Sequence, residues 1–222
     1  MKKSIKFLCL FLALFTFFTV GCQKENPLYS AVSELRSDIF VGESQNFVIK
    51  ACYGFKETPY SNDATVGNKV YGLIFKMSGA DGASYSLSTE FGGETFSADF
   101  KLNPVSGTLT ASMEIENFNL KEFTVTVKKA ELSENVTMVS VVPANAIDYK
   151  KALDYLKADQ TTMIDAYTDK ETGEFTAEIY ARIVVKDGNP FWYIGIASGN
   201  SNLKALLIDG VTGETLAIRE IF

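Results

Sequence analysis

The chain of 222 residues contains no histidine. Histidine is the usual general base near neutral pH and the commonest metal ligand. Ser-His-Asp and Cys-His triads are therefore excluded, as are zinc sites built on imidazole. Catalysis by carboxylates alone, or by a Ser-Lys pair, stays open. Cysteine is nearly as scarce, with Cys9, Cys22 and Cys52 only. No run of like charge reaches five residues, so there is no charged tail. No apolar run reaches the roughly 20 residues that a helix needs to cross a bilayer.

The longest apolar run covers 14 residues, Phe7 to Val20, and follows Lys2, Lys3 and Lys6. Positive charge, a short apolar core and then Lys24, Glu25 and Pro27 make the layout of a secretory leader. Thr19-Val20-Gly21-Cys22 resembles the lipobox of bacterial lipoproteins, although Thr19 stands where that family usually has an aliphatic residue. The resemblance implies cleavage before Cys22 and a diacylglycerol on its sulfur. One acyl chain holds a protein to a membrane only marginally, whereas two hold it durably, at about 0.8 kcal/mol per buried CH₂. Cys9 would leave with the leader. Cys52 would be the one free thiol; the rival is a Cys22–Cys52 bridge. Removal of residues 1–21 leaves 18 basic against 27 acidic groups, or −9. Such a balance disfavours nucleic acid and direct adhesion to anionic lipid heads.

From about Tyr29 to Val142 apolar and polar residues alternate with period two. Tyr85, Leu87 and Phe91 oppose Ser84, Ser86, Ser88 and Glu90. After Gly92-Gly93 the pattern repeats with Phe96, Ala98, Phe100 and Leu102, and after Asn103-Pro104 and Gly107 with Leu109, Ala111, Met113 and Ile115. Alternation of this kind buries one face and wets the other. Further strands are expected over 33–41, 45–54, 69–77, 121–129 and 135–142. About eight strands at this spacing predict an antiparallel immunoglobulin-like β-sandwich over 29–142. A one-sheet or barrel arrangement stays open. Residues 22–28 are expected as anchor and linker.

Near Pro143 the pattern changes. Tyr149, Ala152, Leu153 and Leu156 recur at helical spacing, and Met163, Ile164 and Tyr167 continue it after a break near Asp159. Asp148 and Lys157 suit the two ends of a helix dipole. Alternation then returns through 175–186, 191–198, 203–208 and 214–221. The fold class is thus mainly β: a sandwich over 29–142, then a small α+β domain over 143–222, helix on a four-stranded antiparallel meander. The closing stretch, with Asp209, Thr212, Gly213 and Glu214 in its turn, resembles the last hairpin of PepSY-type domains. That family is associated with secreted peptidases, as inhibitory propeptides or free regulators. The resemblance implies restraint of a protein at the cell surface and carries over no catalytic residue.

The same Asp-x-x-Thr-Gly-Glu form occurs at Asp169 to Glu174, which points to turn chemistry. Calcium is its functional rival, but the spacing is not that of a twelve-residue helix–loop–helix site. The irregular stretch 55–68 holds Phe55, Tyr60 and Asp63, which could meet a sugar or peptide. Phe191, Trp192 and Tyr193 form either a contact patch or core under Leu153 and Leu156. Cys52 reads as a buried, inert thiol. Asp148 with Asp154, and Glu114 with Glu116, are placed on solvent faces and not across one cleft. No motif calls for a cofactor or a resident metal.

The resulting expectation is a non-catalytic lipoprotein, anchored through Cys22 on the extracytoplasmic face of one of the envelope membranes. It would bind an envelope protein or regulate a peptidase, with Tyr60, Asp63, Trp192 and Tyr193 as candidate binding residues. The alternatives are a glycan or small-ligand binding module and a carboxylate-based hydrolase.

Overall fold

The computed structural model describes residues 25–59, 66–79, 84–199 and 203–221. Among them the chain is mainly β, with strands β1 (Val32–Glu43), β2 (Val48–Thr58), β3 (Asn68–Ser78), β4 (Ser86–Phe91), β5 (Glu94–Asp99), β6 (Lys101–Leu102), β7 (Leu109–Glu114), β8 (Glu122–Lys129) and β9 (Leu132–Ser140). Helices α1 (Tyr149–Asp159) and α2 (Thr161–Asp165) follow, then β10 (Glu178–Lys186), β11 (Asn189–Ala197), β12 (Leu203–Asp209) and β13 (Thr215–Ile221). Phe175, expected to open β10, makes only an isolated bridge with Thr168.

The first nine strands wrap into a nearly closed barrel. The order runs β1-β2-β3-β7 on one side and β1-β9-β8-β4-β5 on the other. The seam lies between β5 and β7, and β6, which continues β5 along the chain, bridges one end of it by pairing Lys101 with Thr110 and Leu102 with Leu109. Two-residue turns close three hairpins at positive φ: Gly92-Gly93, Asp187-Gly188, and the pair beginning at Ala130. Turns of that hand match the twist of the strands they join. Phe40, Ile49, Leu73, Phe75, Met138 and Val125, none more than 1% exposed, fill the interior. Each such side chain contributes about 1.5–3 kcal/mol relative to exposure.

A second core lies under α1. The helix starts at Asp148, whose Oδ1 accepts a hydrogen bond from the Lys151 amide at 2.8 Å, a side-chain N-cap. Its apolar stripe of Ala152, Leu153 and Leu156 packs on Trp192, Ile194 and Ile208 of the β10–β13 meander. The first described residues close this core from the side. Leu28 is fully buried, and Asn26 Nδ2 and Tyr29 Oη both donate to Asp154 Oδ1, at 2.9 and 2.6 Å. Burial first, then the hydrogen bond and charge of Asp154, push the Tyr29 hydroxyl up to about 12. Leu28, expected in a linker, is thus core.

One strand serves both cores. The first half of β1 runs parallel to β10, Leu35 opposite Ala181 and Arg36 opposite Arg182. Its second half runs against β9, Phe40 opposite Ser140. From Glu34 to Glu43 it pairs antiparallel with β2, with a bulge at Ser37 between Arg36 and Asp38. A bulge bends a strand and raises its twist. Asp38 pins the bend: its carboxylate accepts from the Ile39 amide at 2.8 Å, Ser140 Oγ at 2.5 Å and Lys121 Nζ at 2.6 Å. Gly54 makes the bend possible. An added Cβ there would stand 1.8 Å from the Leu35 carbonyl oxygen, and one on its partner Gly72 would stand 2.1 Å from that of Met113. The sheet is therefore continuous from β13 to β6.

The two Asp-x-x-Thr-Gly-Glu stretches fold alike. Asp169 Oδ1 accepts from the amides of Glu171 and Thr172 at 2.8 and 2.7 Å, and Asp209 Oδ1 from those of Val211 and Thr212 at 2.8 Å each. Gly173 and Gly213 take φ of 72° and 80°. The backbone hydrogen bonds hold both carboxyls below the usual range.

Two outcomes are expected. Gly54→Ala lowers the urea unfolding free energy by about 3 kcal/mol, because backbone must move to admit the methyl group; an unchanged midpoint would show that the bend tolerates a side chain. Asp209→Ala is destabilising at pH 7, and its deficit shrinks between pH 5 and pH 2. A carboxyl lowered on folding stabilises above its unfolded value, near 4, and that contribution fades as pH falls through the folded value. Thermal melts of both proteins across that range check it.

Candidate functional site

The continuous sheet has one face covered by the two cores and one turned outward. Pairing places on the outward face a row that crosses both parts: Leu207, Tyr193, Arg182, Arg36, Gly54, Gly72 and Glu114. The next row carries Cys52, between Ile39 and Ile74. Lys50 and Lys76 pair beyond it, and Lys56 lies on the other side, opposite Glu34. All of this follows from period two along β1, β2, β3 and β10, because Ala51, Phe55, Leu73, Phe75 and Ala181 take the inward positions.

The bend at Gly54 opens a cavity of about 530 Å³ on this face, lined among others by Glu34, Arg36, Cys52, Ile74, Ser112 and Glu114. A neighbouring cavity of about 230 Å³ shares Arg36, Cys52 and Ile74 and extends to Lys50, Lys76, Arg182 and Val184. The larger volume is within the range of small-ligand sites, roughly 300–1,000 Å³.

Glu34 lies between two guanidinium groups. Arg36 Nε donates to its Oε1 at 2.7 Å and Arg182 Nη2 to its Oε2 at 2.9 Å. Each guanidinium has five N–H donors, so one carboxylate leaves most of them unused. Arg182 Nε is buried without a hydrogen-bond partner. Lys50, Lys56 and Lys76 are exposed. At the floor, burial pushes the Cys52 thiol up, against the pull of Arg36, Lys76 and Arg182. Cys52 is free and half-buried, and its Sγ lies 3.9 Å from the Ile74 carbonyl oxygen. The expected buried thiol is thus only half-buried: Ala51 is the inward neighbour, and Cys52 lies on the cavity side.

Other expected residues fall elsewhere. Cys22, Tyr60 and Asp63 lie outside the described residues. Trp192 is 1% exposed and its indole N–H donates to the Ile147 carbonyl at 3.0 Å, which makes it core and not a contact residue. Tyr193, next along the strand, is half-buried on the outward face beside Arg182. Phe55 belongs to β2 and is buried with its ring 5.0 Å from that of Tyr71, so it is not part of a loop. Asp148 and Asp154 hold the helix and the N-terminal strap. Glu114 reaches the cavity wall. Among the described residues no group of three or more histidines, cysteines or carboxylates is placed to hold a metal ion, and no helix is long and apolar enough to cross a membrane.

No family model matches the chain, and no curated protein and no solved structure is significantly similar to it. The site therefore stands on its own geometry.

Cys52 offers a direct check on the local field. Its alkylation by iodoacetamide follows a pH midpoint above that of free cysteine, since the thiolate is the reacting species. Removing cations raises a thiol value further, so Arg36→Gln moves the midpoint up again. A midpoint unmoved by that substitution would place the guanidinium away from the sulfur.

Proposed function

We propose that the protein is a lipid-anchored, extracytoplasmic, non-catalytic module that binds another envelope protein. One observation carries this reading. The outward face of the sheet presents Tyr193, Phe191, Val184 and Leu207 beside Arg36 and Arg182, while helix α1 covers the other face. Aromatic groups and arginine are the side chains that protein interfaces use most. The lipobox-like Thr19 to Cys22 supports an anchor on Cys22, by way of a diacylglycerol. The strong acidity of the remaining chain disfavours nucleic acid as the partner.

The finer architecture belongs to the same proposal. The barrel halves β1-β2-β3-β7 and β4-β5-β8-β9 face one another across a common core, which supports an immunoglobulin-like reading of 29–142. Helix α1 on a four-stranded meander that ends in the Asp209 turn supports the PepSY-like reading of 143–222, and with it a peptidase as the restrained partner.

Two measurements test the proposal in cells that carry the full-length gene. Radiolabelled palmitate enters the protein and is lost in Cys22→Ser, which then leaves the membrane fraction. A photo-crosslinking amino acid at Tyr193 yields an adduct with an envelope protein, whereas one at Lys157 does not. A soluble, unlabelled protein that keeps its leader, or equal adducts at the two positions, would defeat it.

A further inference from the structure

We infer that the cavity around Cys52 is a carboxylate-binding groove that takes an acidic peptide segment of the partner. The inference rests on the protein-binding reading above and adds the chemistry of what is bound. Arg36, Arg182, Lys50, Lys56 and Lys76 gather on one outward face of a chain whose net charge is −6. Among the described residues the carboxylates that line these cavities are Glu34, already shared by two guanidinium groups, and Glu114 at the far wall. None of Lys50, Lys56 and Lys76 forms an ion pair among the described residues. Among the described residues the excess of positive charge is thus local, which is the condition for electrostatic steering of an anion into a cleft.

The donors have a specific demand. Glu34 takes one N–H from each of Arg36 and Arg182, and Arg182 Nε stays buried and unpaired. A second carboxylate would satisfy guanidinium edges in the paired geometry that arginine favours. The floor adds an apolar demand, because Ile39, Ile74 and Val184 are aliphatic and lie among the cations. Phe55, buried with its ring 5.0 Å from that of Tyr71, also lines the larger cavity, and Phe191 and Tyr193 stand on the adjoining strand, where apolar side chains of a partner would continue from the groove. The bound segment therefore alternates carboxylate and apolar side chains.

The test uses the full chain purified in detergent and a fluorescein-labelled hexapeptide of alternating glutamate and leucine. Anisotropy is expected to report saturable binding that weakens at least about tenfold when glutamine replaces glutamate, and again as salt rises from about 50 to 500 mM. Lys50→Ala with Lys76→Ala weakens binding about tenfold, and so does Arg36→Gln, provided its unfolding midpoint shows a folded protein. Lys157→Ala with Lys170→Ala, on the helix and the distant turn, stays within about twofold of the parent. Equal binding of the glutamine peptide, indifference to the groove substitutions, or preference for oligogalacturonate or for phosphatidylglycerol vesicles over the peptide would overturn the inference. These failures are separable from failure of the anchored-module reading. Palmitate labelling and crosslinking at Tyr193 do not depend on the groove, and the groove is assayed without reference to Cys22.

Discussion

The bend in β1 at Ser37 is the constraint on which the rest of the structure depends. A strand that is twelve residues long cannot stay straight and still serve a barrel at one end and a helix-covered meander at the other. The bulge supplies the turn of direction, and the missing side chain of Gly54 lets the Leu35 carbonyl come within the space a methyl group would fill. Asp38 then ties the bend to Ser140 and Lys121, so that the far end of β9 and the loop before β8 are held to the same point. A partly buried carboxylate with three donors is well satisfied, and loss of it would leave those donors unpaired in turn.

The groove is a consequence of that bend. A flat sheet would spread Arg36, Cys52 and Ile74 over an open surface. Coiling at Gly54 and Gly72 folds the outward face toward itself and brings cations from β1, β2, β3 and β10 around one cavity. Parallel pairing of β1 with β10 matters equally, because it sets Arg182 beside Arg36 and lets one glutamate hold both. The two halves of the chain therefore share the site, and neither builds it alone.

Much of the strand pattern was legible from residues. The alternation from Tyr85 to Phe100 and from Leu109 to Ile115, the Gly92-Gly93 turn, Asp148 at the start of the helix and the break near Asp159 lie where local chemistry puts them, whereas Leu102, expected on the apolar face, is 65% exposed in the short β6. What was not legible is long-range. Nothing local to Leu35 says that it will lie opposite Ala181, almost 150 residues later along the chain. The polar run after Gly54 reads as loop, yet Phe55 is held in β2 by Tyr71 and continues the strand to Thr58. The groove was not singled out in the sequence, although Lys50, Cys52, Gly54 and Lys56 stand at every second place. The intervening Ala51, Tyr53 and Phe55 alternate just as well, and only the partners across the sheet decide which of two such sets turns inward. Trp192 and Tyr193 show the same ambiguity resolved the other way, one ring to each face.

The N-terminal strap has a consequence for reach. Asn26, Leu28 and Tyr29 are fastened to helix α1 and its core. On the proposed anchoring, a lipid on Cys22 would lie four residues before the fastened Asn26, at most about 14 Å away when fully stretched. Anchored in that way, the molecule would have no stalk. It would ride close against its bilayer with little freedom to search, and whatever it meets would have to arrive at the surface rather than be caught at a distance.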